Sequence, residues 1–454
     1  MSITAHRSSL KSAVELRPVE PSPLPLTLAS GLTCRLASGD IVEHANLDHG
    51  ASAPALVAAK QAVDTATRTY ASVHRGKGHA SQISSRLYEA AREEVARFVG
   101  ARSDDIVVFT RHTTDSLNLL ASVLPSGTKV FVFESEHHAT LLPWDPADTI
   151  RLRIPHSVEE AEETLDRALR DNPAEHRLLA ITGASNVTGE LWPLHRLTPV
   201  ARRHGARVVV DAAQLAPHRR IDLRLLGADW VAFSGHKVYA PYGAGVLAGR
   251  RDWLDAGEPY LLGGGASRSA TVDGVEWQCG PARHEGGSPN VLGAVALAAA
   301  CATLSRNLER IEAHEASLFD GLHRRLAEVP GVRTLSIFGP HHERVPVVAF
   351  TVDGYDADLV ATVLSTEHGI GVRDGKFCAH LLVDELLHRD PQAPQADAAV
   401  RVSLGLGNRP EHVERLVTAI RDLAERGPRR RYYRDASGVW RTPGVPPVEV
   451  TLPW

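Results

Sequence analysis

Lysine is scarce in this 454-residue chain. Of the 50 basic residues only Lys11, Lys60, Lys77, Lys129, Lys237 and Lys376 are lysines, which leaves 44 arginines. Coding bias accounts for such a balance, and for the single methionine, yet it makes each surviving lysine worth inspecting. Cysteine is also rare. Cys34, Cys279, Cys301 and Cys378 show no C-x-x-C spacing, which excludes a zinc ribbon or a thioredoxin-like redox motif. Four cysteines in a chain of this length do not make a disulfide scaffold. Net charge is only −4, so no strongly basic nucleic-acid surface is indicated. No metal site is expected from the cysteine gaps. The apolar run LGAVALAAACATL (292–304) is too short to span a bilayer. The first 30 residues lack the apolar stretch of a secretory signal, so a cytoplasmic location is expected.

What is present is an ordinary globular balance, 43% apolar and 23% charged, enough to bury a large core. Residues 1–28 are polar, end in PSPLPL, and read as a flexible arm. Residues 29–290 form the expected large domain. Strand candidates at 106–109, 130–133, 178–182, 208–210, 230–233 and 245–248 alternate with amphipathic stretches at 84–99, 114–123, 158–170 and 197–203. That alternation predicts an α/β fold with a mostly parallel sheet covered by helices. Residues 291–427 read as a smaller α+β domain. It opens with a long Ala/Leu-rich helix (290–325), followed by strands at 347–352, 371–372 and 400–404 and helices at 356–366 and 410–424. Residues 388–397 read as a loop, and the Arg- and Pro-rich tail 428–454 is expected to pack on the surface.

One buried strand ends in Asp211 and the next ends in Ser234-Gly235-His236-Lys237. In an open parallel sheet, ligands bind beyond the carboxyl ends of the strands. An acid and a lysine there suit pyridoxal 5'-phosphate. The amine forms a Schiff base with the aldehyde, and the carboxylate keeps the pyridine nitrogen protonated. Read alone, the pair equally suits a strand-end ion pair.

The blocks DAAQ and SGHK, with a Gly-rich turn after them, resemble the class V aminotransferases of fold type I, and the cysteine desulfurase branch most. The resemblance runs from Asn46 to Leu423. It implies a large domain with a seven-stranded, mostly parallel sheet and a smaller C-terminal domain. It also implies that Lys237 carries the cofactor, that Asp211 faces the pyridine nitrogen, and that Gln214 bonds the phenolic oxygen. Ser234 and His236 match phosphate ligands.

The block TRHTTDSLNLL (110–120) resembles the family's G-T-T turn, with His112 in place of Gly, and implicates Thr113 and Thr114 in phosphate binding. Simple helix capping uses the same residue types. SEHHATLLPW (135–144) resembles E-H-H-x-N and implies that His137 stacks on the cofactor ring, a catalytic position. SNVTGE (185–190) places Asn186 near cofactor and substrate, or else makes it a turn residue. HEGGSPN (284–290) resembles a loop that reaches the neighbouring subunit's phosphate, with Ser288 in the Thr position; this implies a homodimer with shared sites, and helix capping is the plain alternative. His74, Arg75 and His79 in VHRGKGHASQ match an active-site mouth, or a charged loop.

Toward the C-terminus, AVRVSLGLGN (399–408) resembles the strand whose arginine, here Arg401, grips the substrate carboxylate. GVRDGKFCAH (371–380) resembles R-x-G-H-H-C-A, with Arg373 and Cys378 at the family spacing and Lys376-Phe377 in place of two histidines. Cys378 on a mobile loop, with Lys376 and Arg373 nearby, suits a thiolate nucleophile. It also suits a small apolar residue beside Phe377.

The resemblance implies an enzyme that cleaves the C–S bond of L-cysteine, with a persulfide on Cys378 and release of alanine. A β-lyase on an S-substituted cysteine, an epimerase or aminotransferase, or a non-enzymatic sulfur-transfer partner remain open at this point. A sulfur-acceptor protein is an expected partner; nucleic acid and membrane are not.

Overall fold

The structure, a computed structural model, describes residues 24–445, 450 and 452–454. The expected N-terminal arm therefore lies mostly outside the described residues. Its last part does not project. Thr27 bridges Leu56, and Leu28 N donates to Ala55 O at 2.8 Å.

Seven strands form the main sheet. In space they run Asp105–Thr110, Gly245–Arg250, Trp230–Ser234, Arg207–Asp211, Arg177–Thr182, Lys129–Phe133 and Thr149–Leu152. Every pairing is parallel except those of Gly245–Arg250, which is antiparallel to both neighbours. The central strands are apolar on both faces because helices cover both. Val208 and Val210 face one core cluster while Val209 faces another with Leu117, Leu178 and Trp230. The strand Thr149–Leu152 escapes the sequence reading because it is a four-residue edge strand with an exposed Arg151. A further hairpin, Ser267–Thr271 with Gly274–Trp277, also went unpredicted; its residues are mostly exposed and leave no apolar alternation.

A second sheet is antiparallel and runs Val332–Thr334, Val347–Val352, Ala399–Ser403 and Arg373–Gly375. The predicted strand at 371–372 is instead split. Ile370–Gly371 pairs in parallel with Ala45–Asn46, and Arg373–Gly375 joins the sheet. The segment that enters the large domain is thus threaded into the small one, and Asp48 bridges Ser403.

The helix Val291–Ala327 joins both halves. Leu297, Ala300 and Leu304 pack on the large core, while Leu318, Leu322 and Leu326 sit under the small sheet. Contrary to the sequence reading, this helix contains an 18-residue stretch of mean hydropathy 1.5, long and apolar enough to cross a membrane by composition. Half of that stretch is buried inside the fold, which accounts for its apolarity. In the tail, a hairpin pairs Tyr433–Arg434 with Trp440–Arg441. Arg434 stacks on Trp440 at 4.6 Å and reaches Asp356 at 2.8 Å.

Candidate active site

The carboxyl ends of the parallel strands open on a cavity of about 530 Å³. It is lined by Thr113, Thr114, His137, Asn186, Asp211, Gln214, Ser234, His236, Lys237, Arg373, Cys378 and Arg401. Residues 288 positions apart in sequence, from Thr113 to Arg401, thus share one wall system. His74, Arg75, His79 and Ser288 do not line it, and Ser288 was expected at a second copy's site rather than at this one. His74 and Arg75 line a separate depression with Glu89, Arg92 and Glu285, and His74 Nε2 bonds Glu89 Oε1 at 2.9 Å. His79 starts the helix His79–Phe98. Ser288 lies outside the cavity lining, on a segment flanked by that same depression.

Lys237 sits where the strand Trp230–Ser234 turns sharply. Gly235 is needed in that turn, because a Cβ on it would meet Ala244 O at 2.6 Å. The Lys237 amine is enclosed, and burial pushes it down to about 8 against the opposing pull of Asp211. Asp211 is only 4% exposed. Its Oδ2 accepts from Thr140 Oγ1 at 2.8 Å and its Oδ1 from Ala213 N at 2.8 Å. Burial nonetheless raises its pKa above the usual aspartate value.

Behind it lies Glu136, fully buried, with Oε1 accepting from Thr182 N at 3.1 Å and Oε2 without a protein partner. Burial holds that carboxyl well above the ordinary glutamate range, and Asp211 adds to the effect. Neither Glu136 nor Thr140 was singled out by sequence, although both belong to the 135–144 block that yielded His137.

At the other end, Thr113 N and Thr113 Oγ1 meet Ser234 Oγ at 2.8 and 2.7 Å, at the start of the helix Thr113–Ser122. The cap of that helix is His112, whose Nδ1 accepts from Asp115 N at 3.2 Å, so capping does not account for Thr113 and Thr114. His236 is held down to about 4 by burial, then by Lys237 and His112. His137 is held down to about 3, again by burial first and Lys237 next. Its Nδ1 accepts from Ala139 N at 3.0 Å, so the assigned neutral tautomer carries its proton on Nε2. Gln214 Nε2 donates to Gly50 O at 2.7 Å while its buried Oε1 lacks a partner.

Arg401 comes from the small sheet and is 3% exposed. Its Nη1 donates to Asn186 O at 3.0 Å and its Nη2 to Asp48 Oδ1 at 2.9 Å, while Nε is buried without a partner. Asp48, another residue the sequence did not reveal, reaches Arg401 only because the segment 45–48 is threaded between the two strands. Cys378 stands within electrostatic reach of Lys237 and Arg401. The expected helper Lys376 is turned away; its Nζ pairs with Asp384 at 2.7 Å and it does not line the cavity. The cysteine turn is also held rather than loose. Cys378 O accepts from His138 N at 2.8 Å and Phe377 O from Asn186 Nδ2 at 2.7 Å.

Against known proteins, the family description Aminotransferase class-V matches residues 45–416. The chain belongs to the class-V aminotransferases. It is 34% identical over 363 residues to a probable cysteine desulfurase of Vibrio cholerae, spanning 77% of this chain and 86% of that one. It is 36% identical over 366 residues to a cysteine desulfurase of Klebsiella pneumoniae, spanning 78% and 86%. The fold superposes on an apo cysteine desulfurase from Thermococcus onnurineus with TM-score 0.74 and 32% identity, covering 84% and 95%. A cysteine desulfurase from Escherichia coli matches with TM-score 0.72 and 32% identity, covering 83% and 94%.

Class-V aminotransferases are pyridoxal-phosphate enzymes of fold type I, and the residues here fit that group. Burial raises the pKa of the Asp211 carboxyl despite the opposing charge of Lys237, and a protonated ring nitrogen would be a further cation to hold it ionised. Gln214 keeps an unpartnered polar atom. The Lys237 amine, lowered to about 8, is partly neutral near physiological pH, as condensation with an aldehyde requires.

Proposed function

We propose that this class-V aminotransferase is a cysteine desulfurase that forms a persulfide on Cys378 and releases alanine. One observation carries the reading: Cys378 lines the same cavity as Lys237, Asp211 and Arg401. The cysteine desulfurases it resembles support the substrate. Lys237 would hold the cofactor aldehyde, Asp211 the ring nitrogen, and Gln214 the phenolic oxygen. Thr113, Thr114, Ser234 and His236 would hold the phosphate, with His137 against the ring and Asn186 beside it. When bound, pyridoxal phosphate supplies an electron sink for charge that develops at the amino acid's α-carbon.

The chain's own residues do the rest. Arg401 Nε and the remaining guanidinium hydrogens receive the substrate carboxylate, with Arg373 at the same rim. Lys237 Nζ takes the α-proton and returns a proton to carbon. Cys378 Sγ, as thiolate, attacks the substrate sulfur. An S–S bond forms as the C–S bond breaks, and the electron pair left on carbon takes up a proton to give alanine. In this reading the protein is a cytoplasmic homodimer, with Ser288 serving the second copy's phosphate site and a sulfur-acceptor protein discharging the persulfide. In the same reading the chain divides into a large cofactor-binding unit at 29–290 and a small one at 291–427.

The test is incubation of the cofactor-loaded protein with L-cysteine and a thiol. Alanine and sulfide in equal amounts, lost in Cys378→Ala, are expected. Pyruvate in place of alanine, with turnover undiminished in Cys378→Ala, would replace the persulfide route by β-elimination.

A further inference from the structure

Phe377 occupies the position before the cysteine, where the family's R-x-G-H-H-C-A pattern has histidine. Its ring is 7% exposed and packs in an apolar cluster with Ile154, Val187 and Leu382. The Arg401 guanidinium carbon lies 5.2 Å from the ring centroid. A guanidinium is attracted to an aromatic face, most where water is excluded. The backbone closes the same circuit. Asn186 Nδ2 donates to Phe377 O at 2.7 Å, and Asn186 O accepts from Arg401 Nη1 at 3.0 Å.

Phe377 and Cys378 both have left-handed backbone, φ 51° and 53°. Residues with a Cβ adopt that conformation rarely and only where surroundings enforce it. Glycine would relieve the strain at 377, so the side chain that stands there is the feature retained. The charge pattern points the same way. Lys237, Arg373 and Arg401 already line the cavity, and a protonated histidine at 377 would add a fourth cation. A phenyl ring instead offers its negative face.

We infer that Phe377 is a positioning residue that ties the grip of Arg401 on the substrate carboxylate to the placement of Cys378; this rests on the roles proposed for those two residues. The ring fixes the guanidinium, the guanidinium fixes Asn186, and Asn186 fixes the carbonyl of the turn that presents the thiol.

Steady-state kinetics of the holoenzyme with L-cysteine test this through the separation of KM from kcat. Phe377→Leu keeps the core filled but removes the aromatic face, and should raise KM roughly fivefold with kcat within about twofold. Phe377→Ala also releases the turn, and should add a fall in kcat of roughly tenfold with the bound-cofactor absorbance unchanged. Phe377→Tyr should restore both constants. A wild-type KM in Phe377→Leu overturns the inference, because the ring would then only fill space. A kcat in Phe377→Ala equal to that of Phe377→Leu also overturns it, because the turn would be independent. The Leu variant decides alone if the Ala variant does not fold. Arg401→Lys separates the two levels: an unchanged KM there overturns the carboxylate assignment itself, whatever the Phe377 variants do.

Discussion

The two walls of the cavity are made in different ways. One wall consists of strand ends. Asp211, Ser234, His236 and Lys237 follow directly from two adjacent parallel strands, and their geometry is set by the sheet ladder. The other wall, bearing Arg373, Phe377, Cys378 and Arg401, belongs to the small antiparallel sheet and is held by a turn with two positive φ angles. The first wall continues directly from paired strands. The second is held by side chains that can be removed singly. The strand-end wall should therefore decide whether any chemistry occurs, and the small-sheet wall which chemistry and how fast.

The largest effect belongs to the strand-end wall. Lys237→Ala should lower alanine formation by on the order of 1,000-fold, since both the covalent and the base roles are lost. The absorbance change on adding pyridoxal phosphate to the purified protein should vanish with it. An equal loss in an Arg373 variant would erase the proposed distinction between the walls. Next comes Asp211→Asn, which removes the charge and keeps one acceptor oxygen, enough for the bond from Ala213 N, while its amide NH2 faces Thr140 Oγ1 as a donor. Turnover should fall roughly 100-fold while the cofactor stays bound, because the lost term is stabilisation of charge that develops in the transition state.

The same contrast explains what was legible in the sequence. The strand-end wall was, because VVVD and WVAFS are continuous apolar runs whose last residues are polar, and a parallel sheet puts such ends at the ligand site. The ring of Thr113, His137 and Asn186 followed from motif order. Asp48 was not legible. It acts on Arg401 only because Ala45–Asn46 pairs with Ile370–Gly371, a contact across more than 300 residues that no local pattern announces. Nor was the Lys376–Asp384 pair. Spacing placed a lysine two residues from Cys378, but the left-handed turn sends the two side chains apart. Glu136 was missed because a buried acid with one free oxygen looks, in sequence, like any surface glutamate.

The strand-end wall should also carry acid sensitivity. His137 and His236 are held to about 3 and about 4, against an ordinary value of 6.5. Between those limits the unfolded chain binds more protons than the folded one. Stability therefore rises with pH across that window and is lost as pH falls from 6.5 toward 4. Urea midpoints of the cofactor-free protein measured from pH 7 to pH 4 should show this fall, and His137→Gln should make it shallower. His49, also held to about 4, lies on the same core and leaves a residual slope. Asp211 and Glu136, raised by burial, act with the opposite sign, so the test is the difference: a pH slope in His137→Gln equal to that of wild type would contradict the buried neutral state of that ring.

The smallest effect tests the other wall at its rim. Sequence spacing made Lys376 the obvious cation to activate Cys378, whereas the structure commits it to Asp384 in a pair whose side chains are 33% and 43% exposed. Exposed pairs of this kind contribute at most about 1 kcal/mol. Lys376→Ala should thus leave the rate of Cys378 alkylation by iodoacetamide, and alanine formation, within about threefold of wild type. A tenfold loss of both would mean that the turn opens during turnover and brings Lys376 to the thiol. In that case the small-sheet wall would be a moving part, and the contrast between the two walls would be one of motion as well as of construction.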